Sequence, residues 1–408
     1  MNLPLVTIVT PSYNQGRFIR ATIESVLGQD YPRLEYIIMD GGSTDETAAV
    51  VRDYASRLTW ISEPDRGQSH AINKGFRMAK GRIVAWLNSD DLMLPGAISK
   101  VVPYFEHDPS VRAVYGEGYL IDREGRITGR FPHTRPFDLW RLVHLSDYIL
   151  QQTVYFDLRV FSEVGYLDES LHYTMDWDIL IRIGKRFGLT YIPEFLGCLR
   201  EYPEAKSFSG GGARVREIAR LMRKHTGRFL APGTIVYGLE TYRQIWRAWI
   251  AKATPGFLRN PSAKLQHLVE AGARRWIERT IANSQGWYAD GWAGKRLHWM
   301  APPAGPAELV IRGELPECPI RVQRLAVRVN GRLVARSTLR TGPFELRCAV
   351  PAEFQQEPLE ILLKAREGFS DRIQPARQIC YLLRDISVRR KETGDAPPWA
   401  APARAPGG

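Results

Sequence analysis

A chain of 408 residues exceeds what one hydrophobic core ordinarily serves, so more than one domain is expected. Hydrophobic residues at 44% and charged residues at 25% exclude a disordered or collagen-like chain, and four scattered cysteines (Cys198, Cys318, Cys348, Cys380) without a C-x-x-C pair exclude a disulfide scaffold. The net charge of +12 is uneven: residues 1–230 carry 29 Lys and Arg against 28 Asp and Glu, residues 231–408 carry 27 against 16, and no nucleic-acid motif accompanies the excess.

The N-terminus enters the apolar run Leu5–Thr10 almost at once, without a basic leader, and no apolar run approaches the roughly 20 residues that cross a bilayer. The chain is expected in the cytoplasm with reduced thiols. Leu5–Thr10 reads as a strand, Pro11-Ser12-Tyr13-Asn14 as a loop, and Ile19, Ile23, Val26 and Leu27 as one helix face. Tyr36–Met39 is a second strand ending in Asp40-Gly41-Gly42, after which Ser43 and Glu46 have capping-box spacing for a helix. Strands at Leu58–Ser62 and Arg82–Leu87 flank a helix from about Ser69 to Ala79, so the first hundred residues predict a mostly parallel, helix-covered sheet with its polar ligand edge at the strand C-termini. A hairpin follows (Val114–Ile121, Ile127–Phe131), then a helix over Trp177–Phe187. Residues from about Val215 to Ile281 read as Arg- and Trp-rich helices broken by Pro232, Pro255 and Pro261. Beyond Gly286 the period becomes two, with an Asn330-Gly331 turn, which predicts a small β-sandwich; the Pro/Ala/Gly-rich tail from Thr393 is expected to be disordered.

Asp90 and Asp91 in Asn88-Ser89-Asp90-Asp91 follow a buried strand. They either ligate a hard cation such as Mg²⁺ or Mn²⁺ together with a substrate phosphate, or cap the helix after Leu94-Pro95. Asp40 closes another strand on the same edge. Asp176 either caps the helix at 177–187 or does chemistry. Trp287, Trp292 and Trp299 either pack in a core or stack on sugar rings.

Four segments, Val9-Thr10-Pro11-Ser12-Tyr13-Asn14, Met39 to Asp45, Arg66 to Gly75 and Trp86 to Asp91, occur in the order and spacing of the family 2 glycosyltransferases, and the resemblance spans about residues 5–220. It implies a glycosyltransferase-A fold, a Rossmann-like mixed sheet with flanking helices, and transfer of a sugar from a nucleotide donor to an acceptor hydroxyl with inversion. Carried over residue by residue, it implies that Thr10, Pro11 and Tyr13 contact the nucleotide and that Asp40 accepts from the base, which suits a UDP-sugar. Asp65, Gly67 and Asn73 then line the donor sugar and phosphates. Asp90 and Asp91 resemble the Asp-X-Asp metal site, with Asp90 as primary ligand of Mg²⁺ or Mn²⁺ and Asn88 in the first acidic position. Asp176 falls at the catalytic base, with Asp178 two residues on and Met175 where the family often has Glu. Tyr202 stands where relatives often have a metal-ligating His, so either the metal is held by Asp90, the diphosphate and water, or Lys206 and Arg200 neutralise part of the leaving charge. His70 stands where many relatives have Asp and receives no role.

The expected division is a catalytic domain at 1–226, a helical linker at 227–285, a β-sandwich at 286–392 and a tail at 393–408. The expected activity is single-sugar transfer in surface polysaccharide or lipopolysaccharide synthesis, because Gln-x-x-Arg-Trp is absent after Asp176. The partners expected are the nucleotide sugar, a glycan or lipid-linked acceptor and, through the basic helices, the anionic inner face of a membrane. Two rival readings are a nucleotidyltransferase making the nucleotide sugar and a catalytically dead glycan-binding scaffold.

Overall fold

The computed structural model describes residues 3–206, 210–228, 231–239, 241, 292–316, 322–370 and 378–390. Most of the expected linker, the tail, Trp287 and Cys318 lie outside the described residues. The chain divides into two compact units, residues 1–137 with 147–217, and residues 138–146 with 218–408. The excursion at 138–146 therefore joins the second unit, which local sequence pattern did not signal.

In the first unit the order is β1 (Val6–Ser12), α1 (Gly16–Leu27), β2 (Leu34–Asp40), α2 (Thr47–Arg52), β3 (Thr59–Ser62), α3 (Gln68–Met78), β4 (Ile83–Trp86), β5 (Leu92–Met93), α4 (Ala97–His107), β6 (Ala113–Ile121) and β7 (Ile127–Arg130). In the second unit lies α5 (Leu139–His144), after which the first continues with β8 (Tyr155–Asp157), α6 (Val160–Val164), α7 (Met175–Phe187) and β9 (Thr190–Arg200), and α8 (Gly211–Thr226) runs on across the division. The sheet order is β3-β2-β1-β4-β8-β6-β9-β5, with β7 beside β6. Strands β3, β2, β1 and β4 are parallel, whereas β8 and β5 run antiparallel to their neighbours. The expected mixed sheet with flanking helices is thus present. Val6, Ile8, Ile38, Ile83 and Ala85 are buried with Ile19, Ile23 and Val26 of α1, so the apolar strand runs are apolar because the sheet is covered. On the other face a side chain at Gly75 would overlap Val9, so glycine lets α3 lie close on β1.

Three capping expectations are corrected. Ser43 does not cap a helix: its hydroxyl donates to Asp40, and α2 begins only at Thr47. Asp90 and Asp91 do not cap the next helix, which starts at Ala97 after Gly96 in the left-handed conformation. Helix α7 starts two residues early, at Met175 after Thr174, so Asp176 lies inside its first turn rather than at its cap.

The second unit contains two antiparallel four-stranded sheets. Its strands are β10 (Trp292–Ala293), β11 (Arg296–Ala301), β12 (Ala307–Leu315), β13 (Val322–Val329), β14 (Arg332–Arg340), β15 (Gly342–Ala349), β16 (Leu359–Ala365), β17 (Phe369–Ser370), β18 (Gln378–Ile379) and β19 (Tyr381–Arg390). The sheets β10-β19-β12-β15 and β11-β16-β13-β14 share one core that includes Leu309, Ile311, Leu325, Val327, Ile361, Leu363 and Tyr381. Asn330 and Gly331 at φ 46° and 81° make the β13–β14 turn, as the sequence predicts. Trp299 packs against this core, as the packing alternative has it. Among the described residues no helix is long and apolar enough to cross a membrane.

Candidate active site

Parallel register brings Ser12, Asp40 and Ser62 into one row at the ends of β1, β2 and β3. Asp40 is buried; one oxygen accepts from the Ser43 hydroxyl, the other from the Ser43 amide at 3.1 Å and the Ser62 hydroxyl at 2.5 Å. A carboxylate offers about four acceptor positions, so roughly one remains open. Thr10 is fully buried with its hydroxyl 3.0 Å from that of Tyr36, and Pro11 ends in the same strand. Both support the loop from within, while Tyr13 is 63% exposed. A Cβ built on Gly41 would stand 2.8 Å from the Asp65 carboxylate and 3.3 Å from the Tyr13 ring, so glycine allows these side chains to meet over the strand end. Asp65 also accepts from Gly67 N–H at 2.7 Å, and Gly67 has φ 112°, a region glycine favours. Asn73 is buried, with its amide bonded to the backbone of Leu167 and to Glu169; it braces the 167–169 segment and offers no free group of its own.

At the end of β4 the two adjacent aspartates differ. Asp91 is buried: one oxygen accepts from Arg200 N–H at 2.9 Å, the other from Gln152 at 2.6 Å and Asn88 at 3.0 Å. Burial, then the charge of Asp90, pushes its carboxyl up to about 8. The half-buried Asp90 receives a side-chain hydrogen bond from Tyr202, at 2.7 Å, and burial raises its pKa. Asn88 continues to Gln68 (2.7 Å), and Gln68 to Lys206 (2.7 Å), a polar chain from the aspartate turn to the loop after β9.

Lys206 also feels Asp176, although burial lowers its own pKa. Asp176 is half-buried, accepts from Trp177 N–H at 2.8 Å, and is raised above the ordinary carboxylate range by burial. Sequence reasoning missed two carboxylates near it. Asp147, whose Oδ1 accepts from Ile149 N–H, is raised well above its ordinary value by burial and by the charge of Asp176. Glu217 on α8 accepts the amides of His172, Tyr173 and Thr174 at 2.6 to 3.0 Å and the Thr174 hydroxyl at 2.9 Å, thereby holding the segment that leads into Asp176. Burial opposes its ionisation, but these donors prevail and its pKa falls. No local pattern marks Glu217, because its partners lie more than 40 residues away. Asp178 is fully buried against Arg182 at 2.8 Å.

A cavity of ≈ 230 Å³ opens among these groups, lined by residues 66–69 and 169–172 and by Lys206. Arg66 bridges it to Glu169 at 2.5 Å. A divalent cation fits the donor chemistry on one side only. Asp90 is half-buried with the Tyr202 hydroxyl on its carboxylate, Asp91 is fully buried with three donors on its own, and among the described residues no group of three His, Cys, Asp or Glu forms a cage. One carboxylate plus substrate phosphates and water is the usual manner of Mg²⁺.

Residues 7–161 match the family described as Glycosyl transferase family 2. The chain is 30% identical to the Escherichia coli chondroitin synthase over 186 residues, which are 45% of this chain and 27% of that protein. It is 29% identical to an uncharacterized glycosyltransferase of Rickettsia prowazekii over 184 residues, 43% of this chain and 57% of the relative. It thus spans well under two thirds of these relatives. A mannosyltransferase from Pyrobaculum calidifontis, solved with GDP-Man and Mn²⁺, aligns at TM-score 0.46 and 21% identity over 69% of this chain and 85% of that one. The Staphylococcus aureus TarS fragment 1–349 with UDP-GlcNAc aligns at 0.42 and 17%, over 59% and 73%. The domain at residues 7–161, whose four motifs frame the aspartates described above, thus matches the family 2 glycosyl transferases.

Proposed function

We propose that the first unit transfers one sugar, with inversion, from a nucleotide donor to an acceptor hydroxyl, with a UDP-sugar as donor and a surface polysaccharide or lipopolysaccharide as product. The observation that carries this reading is the hydrogen-bonded chain Asp91–Asn88–Gln68–Lys206 with Asp176 beside its end, which ties the donor loop, the aspartate turn and a desolvated carboxylate into one site. Tyr13, the remaining acceptor position of Asp40, and Asp65 receive base and ribose, Gly67 gives the phosphates a close backbone approach, and Asn73 acts through the 167–169 segment. Asp90 holds Mg²⁺ or Mn²⁺, which neutralises the diphosphate when bound, and Asp91 fixes the turn that aims Asp90. Asp176 accepts the proton of the acceptor hydroxyl as its oxygen bonds to the anomeric carbon and the bond to the diphosphate breaks. A carboxylate raised by desolvation is a stronger base for this step. Lys206 stands against the departing charge.

The test is thermal shift against a panel of nucleotide sugars with and without Mn²⁺, followed by release of free nucleoside diphosphate. A ligand at 100 times its Kd adds about 2.7 kcal/mol of stability. No shift with any donor, or a donor made from sugar phosphate and nucleoside triphosphate, overturns the reading.

A further inference from the structure

The two sheets of the second unit treat charge on their outer faces in opposite ways. On β12, β15 and β19 the charges neutralise one another: Arg312 pairs with Glu345 and Asp385, Arg347 with Glu308 and Glu345, and Arg384 with Glu314. On the other sheet, period-two alternation turns Arg296, Arg324, Arg328, Arg336, Arg340 and Lys364 outward, and all six are exposed. None forms an ion pair with a described residue, and the anion of this face, Glu360, lies with His298 at the end where α5 packs on β11.

Register makes the array two-dimensional. Arg296 faces Lys364, Lys364 and Arg336 flank Ala326 from either side, Arg324 faces Thr338, and Val322 faces Arg340. With about 3.4 Å per residue and about 4.8 Å between strands, Arg324, Arg336, Arg340 and Lys364 occupy a field of roughly 14 by 10 Å. The described residues between them are small or aliphatic, among them Val322, Ala326 and Leu362; the described strands present no Phe, Tyr or Trp on this face, and the His298 imidazole lies against Glu360. Stacking on sugar rings or bases therefore has no platform here. A two-dimensional array of unpaired cations matches a plane of anions better than one extended polymer.

We propose that the outer face of the β11-β16-β13-β14 sheet docks on an anionic membrane surface through these six cations. The contact is electrostatic and reversible, and it weakens as salt screens it.

The experiment is co-sedimentation of the full chain with vesicles of phosphatidylcholine alone or with 30% phosphatidylglycerol, at low and physiological salt. Expected is binding to the anionic vesicles only, reduced by salt. The variant R324Q/R336Q/R340Q/K364Q lowers the partition coefficient on the order of 10²–10³-fold while its melting temperature stays near wild type. The control R347Q/R384Q, on the self-neutralised face, keeps wild-type partitioning. Wild-type binding by the fourfold variant, equal loss in the control, or retention by a soluble polyanion such as heparin under salt at which anionic vesicles no longer bind, each overturns the proposal. Because binding is read without turnover, failure here leaves the catalytic reading untouched.

Discussion

Two turns on the ligand edge, residues 88–91 and 174–178, each carry a pair of aspartates, and in each pair the members have divided their work. Asp91 and Asp178 are buried and held, by Arg200 N–H, Gln152 and Asn88 in one case and by Arg182 in the other. Asp90 and Asp176 are half-buried; Asp90 accepts from the Tyr202 hydroxyl and Asp176 from Trp177 N–H. A fully buried carboxylate is out of reach of a cation or a substrate proton, whereas a half-buried one with few donors gains from either. Burial, rather than position in a motif, sets the members of each pair apart.

The sharpest test of that division is Asp176→Asn. The substitution keeps shape and polarity in the first turn of α7 but removes the proton acceptor, so kcat is expected to fall by about 10²–10⁴-fold with donor affinity little changed. Product formation and donor binding, measured separately, check this. More than about a tenth of wild-type kcat remaining would move the base elsewhere, with Asp147 first in line.

Asp178→Ala should do the reverse. Arg182, which also donates to the carbonyls of Val164, Gly165 and Tyr166, would lose its carboxylate and remain largely buried, at a cost of about 3–5 kcal/mol. Urea unfolding should show this loss, while kcat per folded molecule stays within tenfold. A collapse of kcat in a fully stable variant would erase the distinction between the two aspartates.

Glu217→Gln tests whether the active turn depends on distant support. Glutamine places an NH₂ among backbone donors, so the segment before Asp176 shifts, and displacements near 1 Å can cost about 10²-fold in rate. The pH dependence has a definite sign. The pKa of Glu217 is depressed in the folded protein, so its stabilisation is present above the unfolded value near 4.3 and fades as pH falls through the folded value. The variant should therefore lose stability at neutral pH and show a flatter acid limb in thermal melts. A parallel acid limb would contradict the assignment.

The strands of the ligand edge were legible because both faces of the sheet are covered, so residues 83–87 are continuously apolar and the run at residues 5–10 is interrupted only by threonines. The Asn330-Gly331 turn was legible because its left-handed backbone needs those residues. What escaped was long-range. Ser43 looked like a cap but serves Asp40 instead, Asn73 serves residues 94 and 96 positions away, and Glu217 orders a turn 43 to 45 residues upstream. Side chains that can bond either locally or across the fold give the same local pattern in both cases.

The smallest expected effect concerns Tyr202. Its ring packs with Phe18 at 5.0 Å between centroids, and Arg17 lies over both rings at 4.4 and 5.1 Å, so Tyr202→Phe preserves the packing and removes only the hydroxyl that donates to Asp90. Arg200 cannot swing in to replace it, because its guanidinium is fixed on the carbonyls of Asp90, Asp122 and Arg123. Removing one charge-assisted donor shifts a carboxylate's free energy by about 1.5–3 kcal/mol, part of which water recovers at a half-buried site. If Asp90 anchors the cation, the freed oxygen should tighten Mn²⁺ binding in the presence of UDP by roughly threefold to tenfold, which is about 0.7–1.4 kcal/mol left after that recovery. The Mn²⁺ concentration at half-maximal thermal shift reads this without turnover. An unchanged midpoint would mean that the Tyr202 hydroxyl and the cation do not compete for Asp90, and the contrast between Asp90 and Asp91 would then have to rest on the Asp90→Ala variant, in which the Mn²⁺ dependence of donor binding should vanish.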